Sequence, residues 1–478
     1  MKSSQIRNAL LVALVSLSLI PVIEAAPRQF RAGAAKSNIT PFLGGLIVGG
    51  WSPDPAKHIH DELWARCLVL DDGQTQIAIA VSDNVGISRD VFDEAKRMVH
   101  EKTGLPVENM LMSSTHTHSA TSARGDRYIA GGNTLDEYQQ FVAHRIADGI
   151  RRAMNNLEPA RVGWANGHEP DQVFNRRYYM KPGTPLLDPF GGTDKVKMNP
   201  GIANPDVVKP AGPTDQEIPF ISVHSEDGRP IALLANYSLH YVGGVGGAHI
   251  SADYFGMFAD RIQQLIGADR LEPPFVAMMS NGTSGDINNI NVLGKRERRE
   301  PYQKMREVAE DVAAAVYKAY QTVEYRDWVP LGMEQTEIEL GVRVPSEDDV
   351  AYARKLLSKP ESAPTRNSRE RIYAQRTLQM AELPPSIPVI VQALRIGDVG
   401  IAAIPNEVFV EIGLEIKERS PLKPAFTISL ANGSYGYLPT VKHHELGGYE
   451  TWRGTNRLEI QAAPKIVEAL LQLFDRLK

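Results

Sequence analysis

Met110-Leu111-Met112-Ser113-Ser114-Thr115-His116-Thr117-His118-Ser119 runs from three apolar residues into seven polar ones, two of them histidines. A short apolar run that stops abruptly reads as a buried strand, here 110–113, delivering a polar loop at its end. Two residues apart on an extended backbone, His116 and His118 project to the same side. Paired imidazoles in a Ser/Thr setting suit a metal or acid–base site. Two hydrogen-bonded surface histidines would give the same letters, and this segment alone leaves both readings open.

The pattern recurs. Strand 233–239 ends at His240, strand 275–279 runs into the polar loop 281–291 with Asp286, and strand 399–404 is followed by Glu407. Zinc needs three or four N or O donors gathered from distant sequence, with one position left open. A fifth strand, 426–430, leads into Asn432-Gly433-Ser434-Tyr435-Gly436-Tyr437, and Tyr449-Glu450 follows twelve residues after Tyr437. A tyrosine there can pack as an aromatic, ligate as phenolate or donate a hydrogen bond to an oxyanion.

Around these loops the elements alternate irregularly. Strands 63–70 and 76–81 pair across Asp71-Asp72-Gly73, 219–224 and 230–237 across Asp227-Gly228, and 391–396 and 399–404 across Gly397-Asp398. Ser88 caps a helix carrying Val91, Phe92, Ala95, Met98 and Val99 on one face. Thr134 with Glu137 reads as a capping box for a helix with Phe141, Val142, Ile146 and Ile150. Met305, Val308, Val312, Val316 and Ala319 mark another helix, and a last one closes the chain. The segments 32–51 and 180–216, rich in Gly or Pro, read as irregular, the second as a long surface loop or flap. Residues 345–385 are charged and read as a helical excursion or lid. Hairpins mixed with helices predict an α/β fold of mixed β-sheets with flanking helices. Without repeats or a clear linker, 26–478 reads as one domain.

The chain has 478 residues, 42% hydrophobic and 23% charged, with a net charge of −5. That balance argues against a nucleic-acid partner. Lys2 and Arg7 precede the apolar run 9–22, and Glu24-Ala25-Ala26-Pro27 follows it. This is the pattern of a signal peptide spanning 1–25, which implies a secreted or periplasmic protein without a transmembrane segment after cleavage. Cys67, the only cysteine, lies in an apolar strand and excludes an intramolecular disulfide.

In order, these motifs resemble the N-terminal catalytic domain of the neutral/alkaline, non-lysosomal ceramidase family, from about residue 32 to about 449. Thr115-His116-Thr117-His118-Ser119 is identical to that family's core, Asn175-Arg176 is similar to its Asn-Arg motif, and Asn236-Tyr237-Ser238-Leu239-His240 resembles its second histidine segment. Ile250-Ser251-Ala252-Asp253, Pro405-Asn406-Glu407 and the spacing of Tyr437 and Tyr449 fit the same series. The resemblance implies Zn2+ held by His116, His240, Glu407 and Tyr437, with His118, Arg176 and Tyr449 facing the substrate or its oxyanion.

Two departures stand out. Where the family carries a proposed serine nucleophile, Gly285-Asp286-Ile287-Asn288-Asn289 places Asn288, and an amide is no nucleophile. The sequence also ends after a helix, so the match is to the catalytic domain without the family's C-terminal β-sandwich. The expectation is a zinc hydrolase cleaving an amide or ester of a small-molecule or lipid-like substrate by metal-activated water, with Asp286 and Asn288 orienting substrate or water. A carbohydrate-derived or other polar substrate, or a non-catalytic binding protein on the same fold, are the alternatives. Oligomeric state is not encoded in any motif.

Overall fold

The computed structural model describes residues 28–51, 53–125 and 134–478. The signal-peptide reading of 1–25 lies outside them. Among the described residues no helix is long and apolar enough to cross a membrane.

Eight strands form the larger sheet: β1 (Arg31–Asn38), β2 (Trp64–Asp71), β3 (Gln76–Ser82), β4 (Met110–Ser114), β5 (Glu158–His168), β6 (Glu217–Ser225), β7 (Pro230–Tyr237) and β8 (Val276–Asn281), in the order β8-β7-β6-β5-β1-β2-β3-β4. The terminal pairs β7/β8 and β3/β4 are parallel and the strands between them antiparallel. A second sheet, β9 (Leu331–Gly341), β10 (Ser386–Ile396), β11 (Val399–Ile404) and β12 (Ala425–Ser429), ends in another parallel pair, β11/β12. The fold is mixed α/β.

Side-chain alternation assigns each strand face. Leu68 and Leu70 of β2 and Ile77, Ile79 and Val81 of β3 join Leu394, Ile396, Val399 and Ile401 in a core between the two sheets. The intervening Ala65, Cys67, Val69, Ala78 and Ala80 face helices α1 (Arg89–Thr103) and α2 (Glu137–Asn155). Helices α3 (Asp253–Leu265) and α4 (Gln303–Tyr320) cover the other end of the large sheet. After α5 (Glu347–Leu357) and α6 (Glu370–Ala381), α7 (Val410–Arg419) and α8 (Ala462–Arg476) back the second sheet. Full burial of each large aliphatic side chain contributes ~1.5–3 kcal/mol, which makes these interfaces the main source of stability.

The structure corrects several expectations. Part of the supposedly irregular 32–51 is β1, paired along its whole length with β2. Its residues are small because α2 lies against it: a Cβ on Gly33 would come within 2.2 Å of the Ala153 carbonyl. Within 180–216, strands Val196–Met198 and Val207–Pro210 flank Arg177–Met180 in a three-stranded sheet, so this segment is more than a loop. The capping box of α2 is Asp136 with Gln139, because the helix starts at Glu137 and leaves Thr134 outside. Ser88 does occupy the N-cap of α1, but its hydroxyl makes no capping bond. Strands β5 and β9 were missed: β5 carries Gly163, Asn166 and Gly167, and β9 alternates charged residues on a partly solvated face.

Candidate metal centre

The three parallel pairs position the site, since a parallel pair brings both carboxyl ends to one edge, where open α/β sheets present ligands. Hydrogen bonds tie these edges together. Asn236 Nδ2 donates to Thr427 O (3.1 Å), Ser429 Oγ to Gly282 O (2.7 Å) and Asn281 Nδ2 to Thr115 O (3.1 Å). The loops leaving these ends bring His116, His118, His240 and Glu407 to one place.

His116 adopts a left-handed backbone, φ 71°, a conformation costing a non-glycine residue about 1 kcal/mol or more. Its N–H donates to Asn84 O (3.0 Å), and its Nδ1 lies 2.6 Å from Val85 O. Nδ1 must carry the proton to bond that carbonyl, which leaves Nε2 as an acceptor. His240 repeats the device, with Nδ1 3.0 Å from Ser284 O and a buried, unpartnered Nε2. Both Nε2 atoms face Glu407 Oε2, at 3.3 Å from His116 and 3.8 Å from His240. Lone pairs aimed at a carboxylate oxygen repel unless a cation lies among them, so this donor set fits a metal ion. His118 Nε2 lies 3.0 Å from His116 Nε2, and the three histidines offer nitrogens within 4.8 Å of one another, a group that can hold a metal ion.

Protonation favours the same reading. Burial holds His118 well below the usual imidazole range, reinforced by His116 and His240; burial does the same to His240, reinforced by Arg176 and His116. Burial pushes the Glu407 carboxyl up, while positive charge at His116 and His240 and the Tyr437 hydroxyl pull it down by more; with both imidazoles neutral, a bound cation would supply that charge. Neutral imidazole and carboxylate are the ligating forms.

Tyr437 reaches the cluster through a two-residue parallel bridge in which Glu407 is its register partner. The Arg176 guanidinium lies 5.3 Å from the centre of its ring, and the Tyr449 ring centre is 5.8 Å away. Arg176 Nε donates to Glu450 Oε1 (2.8 Å) and Arg177 Nη1 to Glu450 Oε2 (2.9 Å), all three side chains buried. Arg176 Nη2 is buried without a partner, a donor left over for the site.

His116, His118, Glu407, Tyr437 and Tyr449 line a cavity of about 350 Å³ whose other walls include 48–50 and residues of α6. His240, Arg176, Asp286 and Asn288 are not among its lining residues. The Asp286 carboxylate accepts from Val410 N (2.9 Å) and Asn175 Nδ2 (2.8 Å), and its carbonyl from Arg176 N (2.8 Å). Asn288 bridges to Phe174 and donates to Asn199 Oδ1 (2.6 Å). Their hydrogen-bonding groups are used in bracing neighbouring loops.

Three contributors carry roles that the sequence reading did not assign. Tyr241 stacks on His118, with ring centres 3.7 Å apart. The Asp253 carboxylate accepts from Val242 N (3.0 Å) and Gly243 N (2.9 Å), fixing the loop that follows His240. Glu450 fixes Arg176. Tyr241 was accessible by adjacency to His240; the other two roles depend on contacts remote in sequence.

The family model for neutral/alkaline non-lysosomal ceramidase, N-terminal, matches residues 30–310. Neutral ceramidase A of Dictyostelium discoideum is 23% identical over 266 residues, covering 53% of this chain and 34% of that protein, so the chain spans about a third of the length of this curated relative. The crystal structure of neutral ceramidase from Pseudomonas aeruginosa superposes with a TM-score of 0.70 at 18% identity, covering 94% of this chain and 75% of that one. A structure of a ceramidase complexed with C2 gives the same TM-score, 0.70, and the same coverage, 94% and 75%, at 16% identity. With the family's match spanning the loops of His116, Arg176 and His240, this chain belongs to the neutral/alkaline non-lysosomal ceramidase family.

Proposed function

We propose that this protein is an exported zinc-dependent hydrolase that cleaves an amide or ester bond. One observation carries the reading: two imidazoles, each anchored at Nδ1 by a backbone carbonyl, aim Nε2 at an ionised carboxylate. His116, His240 and Glu407 would hold the metal, with Tyr437 as fourth ligand. Bound zinc supplies Lewis acidity at the scissile carbonyl and makes water nucleophilic near pH 7.

The chain's own residues divide the remaining work. His118 differs from the other two histidines: its Nδ1 is buried without a partner, and its ring rests on Tyr241. Lacking the carbonyl anchor typical of a ligand, it serves as the acid–base group that moves a proton between the attacking water and the leaving group. The Tyr449 hydroxyl and Arg176 Nη2 stabilise the oxyanion. Asn288 takes no nucleophilic part, and Asp286 positions Arg176 through the backbone. The relatives named as ceramidases support an N-acyl linkage as the bond class.

Metal analysis of purified protein, with turnover of N-acetylsphingosine and of simple nitrophenyl esters, tests the reading. One zinc per chain and metal-dependent hydrolysis are expected. Protein that binds no zinc, or hydrolysis indifferent to its removal, overturns it.

A further inference from the structure

The cavity wall away from the histidines is basic. Arg124, Arg376 and Arg457 line it and, among the described residues, Glu407 is the single acidic one in the lining, in a chain of net charge −5. Arg376 projects from α6 and is held in place: its Nη1 donates to Tyr373 Oη (3.2 Å) and Thr455 Oγ1 (3.0 Å), and its guanidinium lies 4.9 Å from the centre of the Tyr373 ring. At Gly454, φ 95°, an added Cβ would lie 2.9 Å from Arg376 Cβ, so the glycine gives the arginine stem its course.

These partners are neutral hydroxyls. Nearby carboxylates are engaged elsewhere: Glu370 with Arg366 (3.3 Å), Asp349 with Arg453 (2.8 Å), Glu450 with Arg176 and Arg177. Glu407 belongs to the histidine cluster. Among the described residues no carboxylate is ion-paired with Arg376 or Arg124. A half-buried guanidinium balanced only by hydroxyls leaves positive potential in the cavity, where low dielectric strengthens it. An uncharged hydrocarbon chain gains nothing from this wall and desolvates it at a cost.

We propose that the substrate carries an oxyanionic group, of the carboxylate or sulfate kind, on the side of the scissile bond facing α6, and that Arg376, seconded by Arg124, recognises it. This rests on the hydrolase reading above. Planar, multidentate pairing with such oxygens is what a guanidinium does better than an ammonium.

The test compares mono-4-nitrophenyl glutarate with its methyl ester, two substrates differing in one negative charge. The expected kcat/KM ratio is at least tenfold in favour of the anion, falling toward one in Arg376→Gln and partly kept in Arg376→Lys, which guards against misfolding. Calorimetric titration of the full chain with glutarate and with sodium sulfate gives a readout independent of turnover: wild type binds at least one more tightly than Arg376→Gln does. A ratio near one in wild type, or a preference unchanged in both Arg376→Gln and Arg124→Gln, overturns the proposal and leaves the hydrolase reading intact. If neither ester is cleaved, the hydrolase reading fails, and the titrations alone decide whether the basic wall binds oxyanions.

Discussion

Glu407 Oε2 lies 3.3 Å from His116 Nε2, with the proton of that imidazole committed to Val85 O on its far side. A cation bound between them would stabilise two acceptors at this separation. His116→Ala and Glu407→Ala should each weaken zinc binding by ~100-fold or more, read by equilibrium dialysis against a competing chelator. Both variants retaining wild-type affinity would mean the cluster is not the metal site.

His118 and Tyr449 should separate from the ligands. His118→Ala and Tyr449→Phe are expected to keep zinc and lower kcat by ~10²–10³, the range for losing a general base or an oxyanion donor. Zinc content and kcat measured on the same preparations distinguish the roles. Loss of zinc in His118→Ala would make His118 a ligand.

Glu450 bridges two buried guanidinium groups, at 2.8 Å from Arg176 and 2.9 Å from Arg177. Removing its charge leaves both cations uncompensated, so Glu450→Gln should cost ~3–5 kcal/mol in urea unfolding. A loss below ~1 kcal/mol would show that water or rearrangement replaces the carboxylate.

Asp253 makes stability depend on pH. Burial pushes its carboxyl up to about 6 from 3.8, against hydrogen bonds from Tyr254, Gly243 and Val242. Because the folded state holds this proton more tightly than the unfolded state, the contribution is full below the unfolded value and fades as pH rises through the folded one, by up to ~3 kcal/mol. The stability difference between wild type and Asp253→Asn should therefore shrink from pH 4 to pH 7.5. A difference that grows over that interval contradicts the assignment.

Gly33 lies where β1 passes close to α2, with the Ala153 carbonyl 2.2 Å from where a Cβ would sit. Gly33→Val should destabilise by ~3 kcal/mol or more, since backbone on both sides has to separate. Thermal unfolding within ~1 °C of wild type would refute this packing.

The sequence by itself determined the apolar strands bounded by turn residues and the order in which polar loops leave them. The apolar runs of β2 and β3 on either side of Asp71-Asp72-Gly73 and the helical stripes in α1 and α4 are local signals, written in neighbouring residues. Recurrence after apolar strands singled out His116, His240, Asp286 and Glu407 as candidates, and only the resemblance to the ceramidase family separated His116, His240 and Glu407 from Asp286. Only the tertiary structure decided β1 and β9, whose small or charged residues become strand through pairing with β2 and β10. It also decided which polar residues face the cavity. Asp286 and Asn288 sit in the expected loop but turn into its bracing, while Arg376, from a helix nearly a hundred residues later, reaches the cavity. Side-chain direction at a loop is set by which remote backbone groups need partners, and that information lies in the packed chain rather than in any one segment.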